Sequence, residues 1–297
     1  MRRMLANTLH EIAGESDQLV FLTGDLGFGV FDDLQRDYPD RYINVGIAEA
    51  AMVTAAAGLS ATGFMPVVYS IASFMSARPY EQIKLMVGYN SFPLILIGAG
   101  GGVTYGMSGG SHHATDDLGL MSLIPGLDIA APAGPNEMRE LLKDAFQNRA
   151  STYIQIGKFG EIDLPKKESI TGSKILAVST GTVSHELWAA IDALPRDCKI
   201  DFLHLSKLSE IPRRFNETQI LYYEQILVVE EHIQTGGIYS QILSTLNGNN
   251  SGPKVKRCGL PDIFVKEFIS QGEIRSKYGF DSNSIKEKLQ EMLVQTA

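Results

Sequence analysis

Short apolar runs recur along the chain: QLVFLTG (18–24), MPVVYS (65–70), FPLILIG (92–98), LDIAAPA (127–133) and TYIQIG (152–157). Their hydrophobicity is continuous rather than alternating, the pattern of a strand covered on both faces. Between them lie helix-like segments such as PYEQIKLMVG and GPNEMRELLKDAFQN. Strands alternating with helices predict βαβ units and a mainly parallel sheet. After Gly160 the text becomes polar and aperiodic, EIDLPKKESITGSK, and reads as a linker. A second series follows, with KILAVSTGT, KIDFLHL and QILVVEEH as strands and VSHELWAAIDAL and IYSQILSTL as helices. The predicted class is α/β, with two parallel-sheet domains at 1–162 and 170–297.

The length, 297 residues, suits two domains, each able to bury a core of its own. A formal net charge of -8 argues against a general nucleic-acid binder, whose affinity rests on neutralising phosphates. It leaves room for a phosphorylated small molecule held by one or two local cations. The two cysteines, Cys198 and Cys258, form no CxxC pair, so the sequence predicts no disulfide framework or cysteine zinc site and a reducing compartment. MRRMLANTLHEIAGES predicts an amphipathic helix in which Glu11 and Glu15 interrupt any signal-like apolar core. No run of about 18 apolar residues occurs. The expectation is a soluble, cytoplasmic protein without a membrane partner.

Four stretches carry candidate chemistry. In INVGIAEAAMVTAAAGL a lone carboxylate, Glu49, stands among small and apolar residues. Either it begins a helix, where an acid suits the positive end, or it is kept there to bind something. The segment GAGGGVTYGMSGGSHHATDD places seven glycines among the thirteen residues 98–110, directly after a predicted strand, and ends in two histidines. Glycines at a strand's carboxyl end let a ligand approach the backbone closely. The loop matches neither the dinucleotide fingerprint, since Tyr105 takes its third glycine position, nor the P-loop, since Met107 replaces the lysine. His112 and His113 lack a third ligand for a metal and suit acid–base work better. YSIASFMSARPYEQIKL offers Phe74, with Ser73 and Ser76 nearby, as a platform for a planar ligand, together with Arg78, Tyr80 and Gln82. FLTGDLGFGV ends a strand in Asp25, either an Asx turn or part of a carboxyl-end site.

Taken together in chain order, the stretches resemble the transketolase family of thiamine-diphosphate enzymes. RYINVGIAEAAMV resembles the family's segment carrying the catalytic glutamate, FMSARPYEQIK its aromatic pyrimidine pocket, and GGSHHATDD its glycine–histidine loop. ILVVEEHIQTGGIYSQI is similar to an acidic–glycine motif of its C-terminal domain. The likeness covers nearly the whole chain but two of the family's three domains: a pyrimidine-binding domain followed by a C-terminal domain. No diphosphate signature, GDG followed by asparagine, occurs. The resemblance therefore implies a split transketolase that transfers a two-carbon ketol unit from a ketose, phosphorylated or not, to an aldose. Its partner would be an N-terminal subunit with the diphosphate-binding domain, holding Mg²⁺ (or Ca²⁺), in an α₂β₂ assembly. This chain itself is expected to supply no metal ligand.

Residue by residue, the resemblance gives Glu49 the N1′ atom of the cofactor's aminopyrimidine, with a pKa raised by apolar surroundings so that it shares a proton. It gives Phe74 the stacking face and places Asp25 and Arg78 in the same cofactor pocket. His112 would face the ketose hydroxyls and relay a proton. Lys158 and Arg2 would contact a substrate phosphate, and Ser108 the substrate. Three departures bear on the sugar: Ser108 or Met107 stands where an acid reads the ketose hydroxyls, Gly29 replaces a phosphate-binding serine, and Gly100 replaces a further histidine. A synthase or dehydrogenase β-subunit using a 2-oxo acid donor, and a non-catalytic partner subunit, are the alternative readings.

Overall fold

The computed structural model describes residues 1–158, 162–246 and 252–296. Six strands build the first sheet: β1 (Leu19–Thr23), β2 (Tyr42–Asn44), β3 (Met65–Ile71), β4 (Ile95–Ala99), β5 (Asp128–Ala130) and β6 (Thr152–Ile156). They lie in the order β2-β1-β3-β4-β6-β5, and every pairing is parallel. The second sheet contains β7 (Glu168–Ser169), β8 (Ile175–Ser179), β9 (Asp201–His204), β10 (Gln225–Val229) and β11 (Lys254–Cys258), in the order β11-β10-β8-β9-β7. Only the edge strand β7 of that sheet runs antiparallel, along β9.

The continuous hydrophobicity of β1 is explained by the two layers around it. Val20 and Leu22 point into one core with Met52, Val53 and Ala56 of the helix Glu49–Ala61. Leu19 and Phe21 point into another with Leu5, Leu9 and Ile12 of the helix Arg2–Glu15. The second sheet is likewise covered on both faces, its outer core packing on the helices Ser184–Asp192 and Ser282–Thr296. No helix among the described residues is long and apolar enough to cross a membrane. Both cysteines are unpaired.

Three strands depart from the sequence reading. β2 and β11 lie at sheet edges and are short, exposed or charged, so no apolar run announces them. β7 falls inside the stretch read as a linker, where backbone pairing with β9 supplies what side-chain pattern does not. The first residue of that stretch, Glu161, lies outside the described residues, as does Gly160 before it. The segment PYEQIKLMVG is helical as expected, but Ile83–Tyr89 winds as a π-helix.

The two sheets are joined through backbone and buried side chains. Ala131 donates its N–H to Ser206 O at 2.8 Å, and Gly181 donates to Ala131 O at 3.0 Å. Glu137, on the helix Pro135–Gln147, meets His204 Nε2 at 3.0 Å and accepts from Ala133 N–H at 2.7 Å. Burial pushes the Glu137 carboxyl up, but the hydrogen bonds from His204 and Ser206 prevail and hold it at about 2.

Candidate active site

The chain path creates a crevice at the carboxyl ends of β1 and β3. From β1 the chain moves outward to β2 and then crosses back to β3, and such a reversal is where open α/β sheets bind ligands. The sequence candidates sit on the connections that leave these strands. Asp25 follows β1, Glu49 follows β2, Phe74 and Arg78 follow β3, the glycine-rich loop follows β4, and Lys158 follows β6.

Glu49 is the first residue of its helix and is 3% exposed. Ser70 Oγ, at the end of β3, donates to its Oε1 at 2.9 Å, and Arg78 Nη1 donates to its Oε2 at 2.9 Å. Here the structure corrects the sequence reading. Burial does push the carboxyl up, but the hydrogen bonds from Arg78 and Ser70 and the Arg78 charge more than offset it, so its pKa lies below 4.5. The apolar window around Glu49 hid a counter-charge that folding supplies from elsewhere.

Arg78 also lies flat against the aromatic platform, its guanidinium carbon 3.6 Å from the centroid of the Phe74 ring. One planar cation thus touches both the carboxylate and the ring that the sequence reading assigned to a planar cofactor group. The geometry fits an aminopyrimidine, which is also planar and hydrogen-bonds at its edge. Asp25 follows Gly24, the residue at which an added Cβ would stand 3.8 Å from Glu49 Oε1. It adopts a left-handed backbone (φ 59°) and is held there by Asn44, which accepts from its N–H and donates to its Oδ1, both at 3.0 Å. The Asx-type bond here belongs to Asn44, whose Oδ1 also accepts Gly46 N–H at 3.0 Å.

Beyond Phe74 the aromatic surface continues. Phe74 and His112 have ring centroids 5.1 Å apart, and His112 and Tyr105 5.9 Å apart. Lys158 Nζ stands over the Tyr105 ring, 3.8 Å from its centroid. His112 is half-buried, with Ser111 Oγ 3.0 Å from its Nδ1. His113 is buried instead, its Nε2 lacks a hydrogen-bond partner among the described residues, and burial lowers its pKa. Lys158 titrates below its ordinary value, first through burial and then through the like charge of Arg2. Arg2, the source of that charge, belongs to the N-terminal helix. Burial pushes the hydroxyl of Tyr69 up to about 12. Ser108 is exposed and lines a cavity of about 380 Å³ together with Tyr105, Lys158 and, from the second domain, Ser270–Gly272.

Several of these positions escape a reading from sequence. Ser70 is signalled only by a hydroxyl ending an otherwise apolar strand, and Tyr105 only as the one ring inside the glycine-rich loop. Nothing local marks Ser270–Gly272, which the second domain brings to the cavity. The acidic–glycine stretch of that domain is structural. Glu231 accepts Val103 N–H at 2.8 Å, Gln271 Nε2 at 2.8 Å and Arg275 Nε at 3.0 Å, and so clamps the glycine-rich loop. Val103 is fully buried in the second domain's outer core. Among the described residues no group of three or more His, Cys, Asp or Glu side chains is placed to hold a metal ion.

Comparison with known proteins adds a family. The model of the transketolase pyrimidine-binding domain matches residues 1–158, and that of the transketolase C-terminal domain matches residues 166–285. The chain is 29% identical over 265 residues to a protein of Actinobacillus succinogenes named as a subunit of apulose-4-phosphate transketolase, covering 84% of each chain. To the protein of the same name from Phocaeicola vulgatus it is 27% identical, covering 96% of this chain and 94% of that one. It is also 27% identical to 1-deoxy-D-xylulose-5-phosphate synthase 1 of Geobacter sulfurreducens, over 95% of this chain but 46% of that one. Among solved structures, one described as a split gene transketolase, inactive β4 tetramer, superposes with a TM-score of 0.82 at 24% identity, covering 99% and 98% of the two chains.

Proposed function

Because the chain belongs to the transketolase family, we propose that it is one subunit of a split thiamine-diphosphate transketolase, moving a two-carbon ketol unit from a ketose phosphate to an aldose. The observation that carries this reading is the joint engagement of Glu49 and Phe74 by one planar group, Arg78. When bound, thiamine diphosphate supplies the nucleophilic thiazolium carbon that cleaves the ketose beside its carbonyl. The chain's own residues bind, orient and move protons. Phe74 offers a stacking face for the aminopyrimidine, and Glu49 a buried carboxyl to hydrogen-bond N1′. Arg78 exchanges its place on both for a place at the pocket wall, and Asp25 lines the same pocket. His112 handles the ketose hydroxyls, while Lys158 and Arg2 take the anionic end and Ser108 borders the sugar.

The diphosphate and its Mg²⁺ are assigned to a partner subunit in an α₂β₂ assembly, in the cytoplasm. Full-length likeness to proteins named as subunits supports a partner. We keep the division into domains at 1–162 and 170–297. The likeness to deoxyxylulose-phosphate synthases favours one second reading, a 2-oxo acid donor in place of the ketose. A donor screen separates the two.

The test is deuterium exchange at C2 of the cofactor, with the partner subunit present. Glu49→Gln keeps the shape and a hydrogen bond but cannot share a proton. Exchange and turnover should fall by about 10² or more, as for loss of a positioned acid–base group, while cofactor affinity drops modestly. Wild-type exchange in the Glu49→Gln enzyme would return Glu49 to the role of a helix-end acid.

A further inference from the structure

The aromatic surface that begins at Phe74 continues past the cofactor pocket, and Tyr105 is its last ring. The Tyr105 ring lies directly above Gly100, where an added Cβ would stand 2.1 Å from Cε2, and Gly100 has φ +78°, so the ring's seat requires glycine. The loop beneath is held from both sides. Tyr105 O accepts Ser108 N–H at 2.7 Å, and Thr104 Oγ1 donates to Gly101 O at 2.7 Å and meets Gln271 Nε2 at 3.2 Å. At Gly106 a Cβ would stand 2.2 Å from Ile269 O of the second domain. A ring fixed in this way is a rigid spacer. It neighbours the imidazole of His112, with centroids 5.9 Å apart, and over its ring stands Lys158 Nζ at 3.8 Å.

We propose that Tyr105 is a specificity-determining positioning residue: its ring sets the separation between the imidazole that handles sugar hydroxyls and the ammonium that takes the anionic end, and so selects donors by chain length. This rests on the transketolase reading given above and deepens it. The ring face supplies the interaction, since both neighbours meet aromatic surface. Phenylalanine should therefore serve in its place and leucine should not.

The experiment has two arms. In the first, xylulose, fructose and sedoheptulose phosphates are compared as donors with the partner subunit present. Tyr105→Leu should raise KM by about fivefold for the donor the wild type prefers, the loss expected of a partly exposed cation–ring contact. It should also flatten the preference among the three, while kcat and C2–H exchange stay within about twofold. Tyr105→Phe should keep the wild-type ranking. In the second arm, the lysines of the full chain without a partner are reductively ¹³C-methylated and observed by NMR, Lys158 being assigned by its loss in Lys158→Arg. Its signal should be shifted upfield by the ring in wild type and Tyr105→Phe, and relaxed to the position of the other lysines in Tyr105→Leu. An unchanged donor ranking in Tyr105→Leu, a ranking lost equally in Tyr105→Phe, or a Lys158 signal indifferent to the ring would each overturn the proposal. Absence of ketose turnover and C2–H exchange in the wild type would instead overturn the transketolase reading, with the NMR arm still deciding whether the ring holds Lys158.

Discussion

Replacing Arg78 with methionine removes the guanidinium but keeps an apolar stem to cover Phe74, so the change isolates the ion pair with Glu49. A hydrogen bond between charged groups contributes about 1.5–3 kcal/mol. The Arg78 side chain is 43% exposed, so solvent screening argues for the lower end. The loss of that hydrogen bond and charge should raise the Glu49 pKa. The sign of the stability effect follows. Glu49 in the wild type is held below 4.5, so the contribution of its ionised form is present above that value and lost as the pH falls through the folded pKa. The stability gap between wild type and Arg78→Met should be about 1.5 kcal/mol near neutrality and close toward zero as both carboxyls protonate. Isotope-edited infrared titration of ¹³C-glutamate protein, with Glu49 assigned through Glu49→Gln, reads the first quantity, and urea unfolding across the same pH range reads the second. An unmoved Glu49 midpoint, or a gap that widens in acid, would refute the ion pair as the cause of the low pKa.

His112→Ala should act on sugar handling, changing the donor KM or kcat while leaving C2–H exchange nearly intact; slowed exchange would place His112 on the cofactor instead. The isolated chain should bind thiamine diphosphate weakly in titration calorimetry and catalyse nothing, because the proposed diphosphate and metal contacts lie on the partner. Sub-micromolar, Mg²⁺-dependent binding, on the scale of about -8 kcal/mol, would contradict that division of labour.

The strands most legible in the sequence were those buried on both faces, such as β1 and β4, whose every residue is apolar or small for a reason visible in the layers above and below. β2 and β11 were illegible because an edge strand is specified largely by its neighbour's backbone. The site divides the same way. Glu49, Phe74 and His112 stand out because a carboxylate, a ring or a histidine is unusual in its window. Ser70, Tyr105 and Ser270–Gly272 are ordinary where they occur and gain meaning only when the sheet and the second domain bring them to the crevice. The charge state of Glu49 was misjudged for a related reason: its partner lies 29 residues further along the chain. An isolated window cannot show a counter-charge delivered by the connection that follows a neighbouring strand.

That counter-charge has a consequence for assembly on the proposed reading. A carboxylate buried to 3% exposure without a partner would be costly, so the chain folded alone satisfies it with Arg78 and rests the same guanidinium on Phe74. An aminopyrimidine entering the pocket gains the two contacts that Arg78 gives up, and only the difference between the two sets appears as affinity. The pyrimidine end therefore contributes less net affinity than its gross contacts would in an unoccupied pocket. Net binding must come from interactions that Arg78 cannot imitate, those of a diphosphate with a divalent ion and its ligands. Splitting the site between two chains then makes cofactor retention depend on assembly, and the exchange at Glu49 makes that dependence steeper than a half-built pocket alone would.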